Sequence, residues 1–215
     1  LELPVLVAVF YGLRRGEVCG LKWDDIDFER ETLTVKRTVT SIQLDGKTQM
    51  IEQESAKTKS SMRTLSLVGS FKEYFQKVKE EAQALNKKVC GNCYNYEYDG
   101  FVFVDEMGDL LRPDYLTTQF PVFIQRHGMK KMRFHDFRHS CASLLLANGV
   151  PLKQIQDWLG HSDFSTTANI YAHLDYSSKI SSAQAMVGGM FLPDAEGFQS
   201  KWSEIEEADN EAVVK

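Results

Sequence analysis

The sequence predicts an α+β fold, mainly helical, with a small antiparallel sheet near its front. Three observations predict it. Apolar residues recur at helical spacing over most of the chain, as Phe71, Phe75 and Val78 do on one side of residues 70–88. Alternation of β-branched residues is confined to "TLTVKRTVT" (32–40) and the stretches around "MIEQESAKTKSSMRTLSL" (50–67). No internal repeat or low-complexity linker divides the 215 residues, so one large domain suits the length.

In chain order, residues 5–22 read as a helix running into "GLRRGEVCGLKWDDIDFE". "TLTVKRTVT" reads as a strand and "DGKTQ" as a turn. Residues 50–67 follow as strand, tight polar turn at 57–61, and returning strand. "GFVFVDEMGDLL" is a short hairpin turning at Met107 and Gly108. "RPDYLTTQFPVFIQRHG" is a helix that Pro121 kinks or interrupts. Helices are expected over 136–148, 152–159 and about 165–172. The first of these should bury Phe137, Cys141, Leu144 and Leu145, and it ends at Asn148 and Gly149 ahead of Pro151. The acidic end "EIEEADNEAVVK" suits either a helix or a mobile extension.

Composition narrows the class. A hydrophobic fraction of 43% is that of an ordinary globular protein, and no apolar run is long enough to span a bilayer. The start, "LELPVLVAVFYGLRRGE", reads as a helix already under way rather than a signal peptide. A cytoplasmic protein is expected. Of the four cysteines, Cys19 and Cys141 fall in helical apolar patterns. Cys90 and Cys93 form a lone CxxC with no second pair to complete a zinc site, so a plain turn is expected there, with no metal and no cofactor. The net charge of −5 comes entirely from the tail after residue 193; the rest holds 23 residues of each sign. Within that neutral body "RHGMKKMRFHDFRH" is strongly basic, which is compatible with a phosphate-backbone partner.

Five stretches carry unusual polar residues. "RFHDFRH" sets His135 and Arg138 on one side of a helix start, where an imidazole, a guanidinium and the helix N-terminus suit an anion. An arginine paired with Asp136 or another carboxylate at a solvated helix end is the plain alternative. "YGLRRGEVCGL" places Arg14 in a tight turn with Glu17 three residues on, a surface ion pair on the plain reading. "AKTKSS" offers Lys57 and Lys59 at what is otherwise a solvated hairpin tip. His161 in "WLGHSD" suits a helix cap, and Tyr171 in "STTANIYAHLD" suits a core tyrosine.

Taken in order, Arg14, Lys57, His135, Arg138, His161 and Tyr171 resemble the tyrosine recombinase (phage integrase) family. "GLRRGE", "KTKSSMRTLSL", "FHDFRHSCASLLLANG", "WLGHSDFSTT" and "IYAHLD" resemble that family's boxes, most like integrases of bacterial mobile elements, over residues 5–180. Tyr11 departs from the small hydroxyl residue of many relatives. The segment 89–100 has no counterpart.

The resemblance implies a tyrosine recombinase catalytic-domain fold over residues 1–180, without the family's N-terminal core-binding domain. It implies a C-terminal segment, 181–215, that packs in trans or stays partly mobile. It implies cleavage and rejoining of double-stranded DNA at attachment sites through a 3′-phosphotyrosine, without metal or ATP, so as to integrate or excise a mobile element. Arg14 and Arg138 would clamp the phosphate and His135 and His161 would hydrogen-bond it. Lys57, or Lys59, would protonate the leaving oxygen; Tyr171 would be the nucleophile and Glu17 a support for Arg14. Lys59, Arg63, Lys130, Lys131 and Arg133 would contact DNA. The implied assembly is a homotetramer on DNA, a monomer without it, helped by DNA-bending or directionality proteins, with no membrane partner.

Two other readings stay open. "PLKQIQDWLGHSDFSTTANIYAHL" resembles a helix-turn-helix, as in a non-catalytic DNA-binding regulator. A type IB topoisomerase uses similar chemistry on one duplex. A metal-dependent nuclease is disfavoured, because the histidines lack a matching carboxylate cluster.

Overall fold

The computed structural model describes residues 2–54 and 62–161. The lysine turn at 57–61, the expected helix at 165–172, Tyr171 and the segment 181–215 lie outside the described residues. Within them the chain runs α1 (Glu2–Tyr11), α2 (Arg15–Cys19), β1 (Ile26–Asp27), β2 (Thr32–Val35), β3 (Arg37–Leu44), β4 (Lys47–Glu54), β5 (Arg63–Ser66), α3 (Gly69–Lys77), α4 (Ala84–Cys90), α5 (Pro113–Arg126), α6 (Asp136–Ala147) and α7 (Leu152–Leu159). The fold is mainly helical with small antiparallel sheets, as expected. No helix among the described residues is long and apolar enough to cross a membrane.

The expected helix over 5–22 is broken. α1 stops at Tyr11, Gly12 turns the chain at φ +62, and α2 starts afresh after Arg14. "TLTVKRTVT" is likewise two strands. β2 pairs with β1 and β5 in one sheet, while β3 pairs with β4 in a second. The change of sheet falls at Lys36, where the salt bridges of Lys36 and Arg37 to buried Asp25 hold the chain. β3 and β4 form a long hairpin closed by Asp45 and Gly46, whose positive φ values give the turn that matches strand twist. The strand after the lysine turn does not return to β4. It pairs Arg63 with Val35 on β2, because Leu65 and Leu67 complete the core there.

Three further expectations meet the structure. Pro121 sits inside a continuous α5. The segment 101–110 folds back through a bridge of Val104 to Leu110 with its turn at Met107 and Gly108. In α6, Phe137 and Cys141 are buried as expected, but Leu144 is exposed. Arg138 and Ala142 are buried too, so the inward face of α6 is rotated toward them and Leu144 is carried outward.

One apolar core unites α1, α2, the first sheet and α5. A smaller one, of Cys141, Ala142, Ile155 and Leu159, joins α6 to α7. Between α3 and α4 the helix widens into a π-helical stretch, Val78–Gln83. Gln83, the last residue of that stretch, is buried with its amide turned inward. Its carbonyl accepts the Trp23 indole N–H at 3.1 Å, and its NH₂ donates to the carbonyls of Phe101 (3.1 Å) and Val102 (3.2 Å). One buried side chain thereby ties the helix to both loops beneath it. Replacing Gln83 by Leu strands those three groups. It is expected to destabilise the protein by roughly 2–3 kcal/mol, read as a lower urea midpoint at unchanged slope.

Candidate active site

α7 ends in a Schellman motif. Gly160 adopts the left-handed conformation (φ +67, ψ +48), and this lets two N–H groups fold back. His161 N–H donates to the Gln156 carbonyl at 3.1 Å, and Gly160 N–H to that of Asp157 at 3.2 Å. The carbonyls of Trp158, Leu159 and Gly160 stay outside that pattern, and arginines from three other elements take them. Arg63 Nε donates to Trp158 O at 2.8 Å, Arg138 Nη2 to Leu159 O, and Arg14 Nη2 to Gly160 O at 3.4 Å. A helix C-terminus carries partial negative charge and so favours cations. Here it gathers three.

Glu17, 1% exposed, supplies the remaining counter-charge. It stands in the first turn of α2. Its Oε1 accepts from Arg14 Nη1 (2.7 Å) and Arg63 Nη1 (3.2 Å), and its Oε2 from the Arg14 backbone N–H (2.8 Å) and Arg63 Nη2 (3.0 Å). Burial by itself would raise this carboxyl; the charge and hydrogen bonds of Arg63, then Arg14, outweigh it and hold the group at about 2. Among the described residues, three guanidinium groups against one carboxylate leave the cluster with two surplus positive charges, which an anionic ligand would balance. Arg14 is the member that reaches solvent, at 40% exposure of its side chain.

Arg138 sits in the first turn of α6 and is 2% exposed. It donates from Nη1 to the Gly12 carbonyl at 2.6 Å and from Nε to His161 Nε2 at 3.0 Å. The plain pairing with Asp136 at the solvated helix start is found for Arg133, not for Arg138. The positive φ of Gly12 turns its carbonyl toward Arg138. A side chain there would also meet Leu159 Cδ2 at 2.4 Å and Cys141 Sγ at 3.3 Å. The departure at Tyr11 is absorbed by the core, where Tyr11 stacks on Trp158 and its hydroxyl accepts the Val68 N–H at 3.4 Å.

Both histidines are held neutral. Burial, then the charges of Arg138, Arg14 and Arg63, push His161 down to about 4. The bond from Arg138 assigns its Nε2 as acceptor and its proton to Nδ1. His135, exposed just before α6, is shifted below the ordinary histidine value by desolvation, then by His139, Arg138 and Arg14.

Of the residues singled out in the sequence, the structure therefore brings together Arg14, Glu17, Arg138 and His161, with His135 within the field of Arg14 and Arg138. Lys57, Lys59 and Tyr171 lie outside the described residues. Lys130, Lys131 and Arg133 are exposed on the loop between α5 and α6. Arg63 corrects its expectation. It is 8% exposed, turned inward and committed to Glu17 and Trp158, so it does not offer its charge to a surface ligand. The alternation of β5, which buries Arg63 with Leu65, is the sequence signal for this. Gly12 and the α7 carbonyls also belong to the site, and only the conformation exposes their part in it.

Residues 2–178 match the model of the Phage integrase family. A protein described as tyrosine recombinase XerC-like, from Caldanaerobacter subterraneus subsp. tengcongensis, is 36% identical over 196 residues, covering 86% of this chain and 49% of that protein. The ICEBs1 integrase of Bacillus subtilis is 30% identical over 168 residues, covering 78% and 43%. The chain spans about half the length of these curated relatives. Among solved structures, the Tn1549 transposon integrase in complex with transposon right-end DNA superposes with a TM-score of 0.67 at 23% identity, over 85% of this chain and 57% of that one. The XerA recombinase gives 0.59 at 21%, over 86% and 58%. The catalytic-domain fold expected from the resemblance is thus the fold found.

Two outcomes follow from the site itself. Gly12→Ala forces a Cβ into Leu159 at a left-handed backbone and is expected to cost about 2–4 kcal/mol in urea denaturation. The depressed His161 value means that the unfolded chain binds a proton that the folded chain refuses. That contribution is complete above pH 6.5 and is lost as the pH falls toward 4. It amounts to at most about 3 kcal/mol. Denaturation at stepped pH should show this loss, and His161→Gln should flatten it.

Proposed function

The chain belongs to the phage integrase family, and from that premise we propose that it is the catalytic part of a site-specific DNA recombinase that integrates or excises a mobile element. The observation that carries the reading is the cluster of Arg14, Arg63, Arg138 and Glu17 on the end of α7. It is preorganised, net positive, and open to solvent at Arg14. Such an arrangement suits the non-bridging oxygens of a phosphodiester, on which charge builds in the transition state.

Tyr171 is assigned as nucleophile. Its oxygen attacks the scissile phosphorus, a 3′-phosphotyrosine forms, and the bond to the 5′ oxygen breaks. Free phenol has a pKa of about 10. His135, neutral at physiological pH, takes its proton. His161 hydrogen-bonds the phosphate, and Arg138 holds its ring in place. Lys57, from the segment before β5, protonates the departing 5′ oxygen, with Lys59 the alternative. The phosphotyrosine conserves the bond energy, so the 5′ hydroxyl of a second strand reverses the step on a new partner without ATP.

Lys59, Lys130, Lys131 and Arg133 contact the DNA backbone. Residues 1–180 form the catalytic domain, and 181–215 dock on a neighbouring protomer in a tetramer assembled on attachment-site DNA. Accessory DNA-bending or directionality proteins assist, and the protein works in the cytoplasm.

The test is a suicide substrate nicked beside the cleavage site of the element's own DNA. It is incubated in EDTA with the protein in its full natural length and run on a denaturing gel. A covalent protein–DNA band is expected that Tyr171→Phe abolishes and that Arg138→Ala reduces by about 10²–10³-fold. Its formation rate should fall on an acid limb lying below pH 6.5, because His135 is shifted that way. Absence of the band in the unaltered protein overturns the reading.

A further inference from the structure

We propose that Arg63 is a positioning residue for strand cleavage, acting through Glu17 to keep the charge of Arg14 available to the phosphate; this rests on the recombinase reading above. Arg63 is buried. Its three nitrogens are engaged, Nε on Trp158 O at 2.8 Å and the two Nη atoms on the two oxygens of Glu17 at 3.2 and 3.0 Å. Glu17 is shared. The oxygen that accepts Arg63 Nη1 also accepts Arg14 Nη1, and the other oxygen accepts both Arg63 Nη2 and the Arg14 backbone N–H.

The sharing decides what Arg14 can do. Alone with Glu17, Arg14 would form a neutral pair, its guanidinium drawn inward and its field cancelled. With Arg63 bound across both oxygens, the carboxylate is already neutralised. Glu17 then serves Arg14 as an aiming contact, and the Arg14 charge remains for an incoming anion. The planar fork of arginine is what allows one side chain to span both oxygens while Nε fixes it to the helix end. Arg63 itself touches no DNA.

A role of this kind depends on charge in the substrate, and a merely structural role does not. The test compares single-turnover formation of the covalent adduct on two suicide substrates, one with the natural scissile phosphate and one with a neutral methylphosphonate in its place. The protein is used in its full natural length. Arg63→Met is expected to slow cleavage of the phosphate by about 10–100-fold, yet to cleave the methylphosphonate within about threefold of the unaltered protein. Arg63→Lys should fall between the two on the phosphate.

An equal loss on both substrates, or no loss on the phosphate, overturns the proposal. Should Arg63→Met fail to fold once Glu17 loses two of its four donors, the pair Glu17→Gln and Glu17→Gln/Arg63→Met carries the test. With the carboxylate charge gone, loss of Arg63 should cost no more than about threefold, and a larger loss overturns the proposal. Unaltered protein that forms no adduct overturns the recombinase reading and the role of Arg63 with it. Adduct formation with substrate-independent losses overturns the role alone.

Discussion

The site depends on the carbonyls that α7 leaves unpaired at its C-terminus. Three guanidinium groups in one cluster repel one another, and one carboxylate cannot hold them all. The end of α7 supplies what is missing, because Trp158, Leu159 and Gly160 each present an acceptor to a different arginine. The Schellman turn at Gly160 has consumed the carbonyls before them, so each donor meets an acceptor that needs one. The surrounding architecture serves this meeting. α2 begins next to Arg14, β5 begins with Arg63, α6 buries Arg138 in its first turn, and the chain reverses at Gly12 to offer a further carbonyl. Each element ends or starts where its contribution is required.

The same field sorts the remaining groups by role. Burial first, and then nearby arginines, make a proton on His161 or His135 unfavourable. Positive charge therefore resides on groups that never titrate at physiological pH, while the imidazoles stay neutral and able to donate or accept. Had both histidines been charged as well, the described cluster would carry four surplus charges instead of two, with no further carboxylate within it among the described residues. Glu17 marks the opposite limit, a buried acid kept ionised because four hydrogen-bond donors converge on it.

Much of this was legible in the sequence. Arg14, His135, Arg138 and His161 stand in motifs whose order and spacing identify them, and the helix start at 136 and the stop at 159 followed from caps and periodicity. What escaped did so for physical reasons. Arg63 looked like a surface cation because a charged residue beside a polar turn is ordinarily solvated; only a three-dimensional partner could bury it. Leu144 looked buried because periodicity counts apolar residues, and it gave Arg138 no weight in setting the inward face of α6. The strand 32–40 looked continuous because alternation persists through Lys36 although the hydrogen-bonding partner changes. Gln83 lies at the end of a π-helical stretch, which leaves no mark in a pattern read at 3.6 residues per turn.

The contacts that assemble the clamp also span the chain. The bond from Arg138 to Gly12 closes 126 residues, and that from Arg14 to Gly160 closes 146. Local folding can form α1, the hairpin of β3 and β4, or α6 without bringing these groups together. A chain emerging from the ribosome therefore acquires its helices and hairpins well before it has a clamp, since Gly160 must be made and folded back first. The arginine cluster is in this way withheld from every unfinished copy. An opening that frees α7 from Arg14, Arg63 and Arg138 would take the cluster apart while the larger core stays intact.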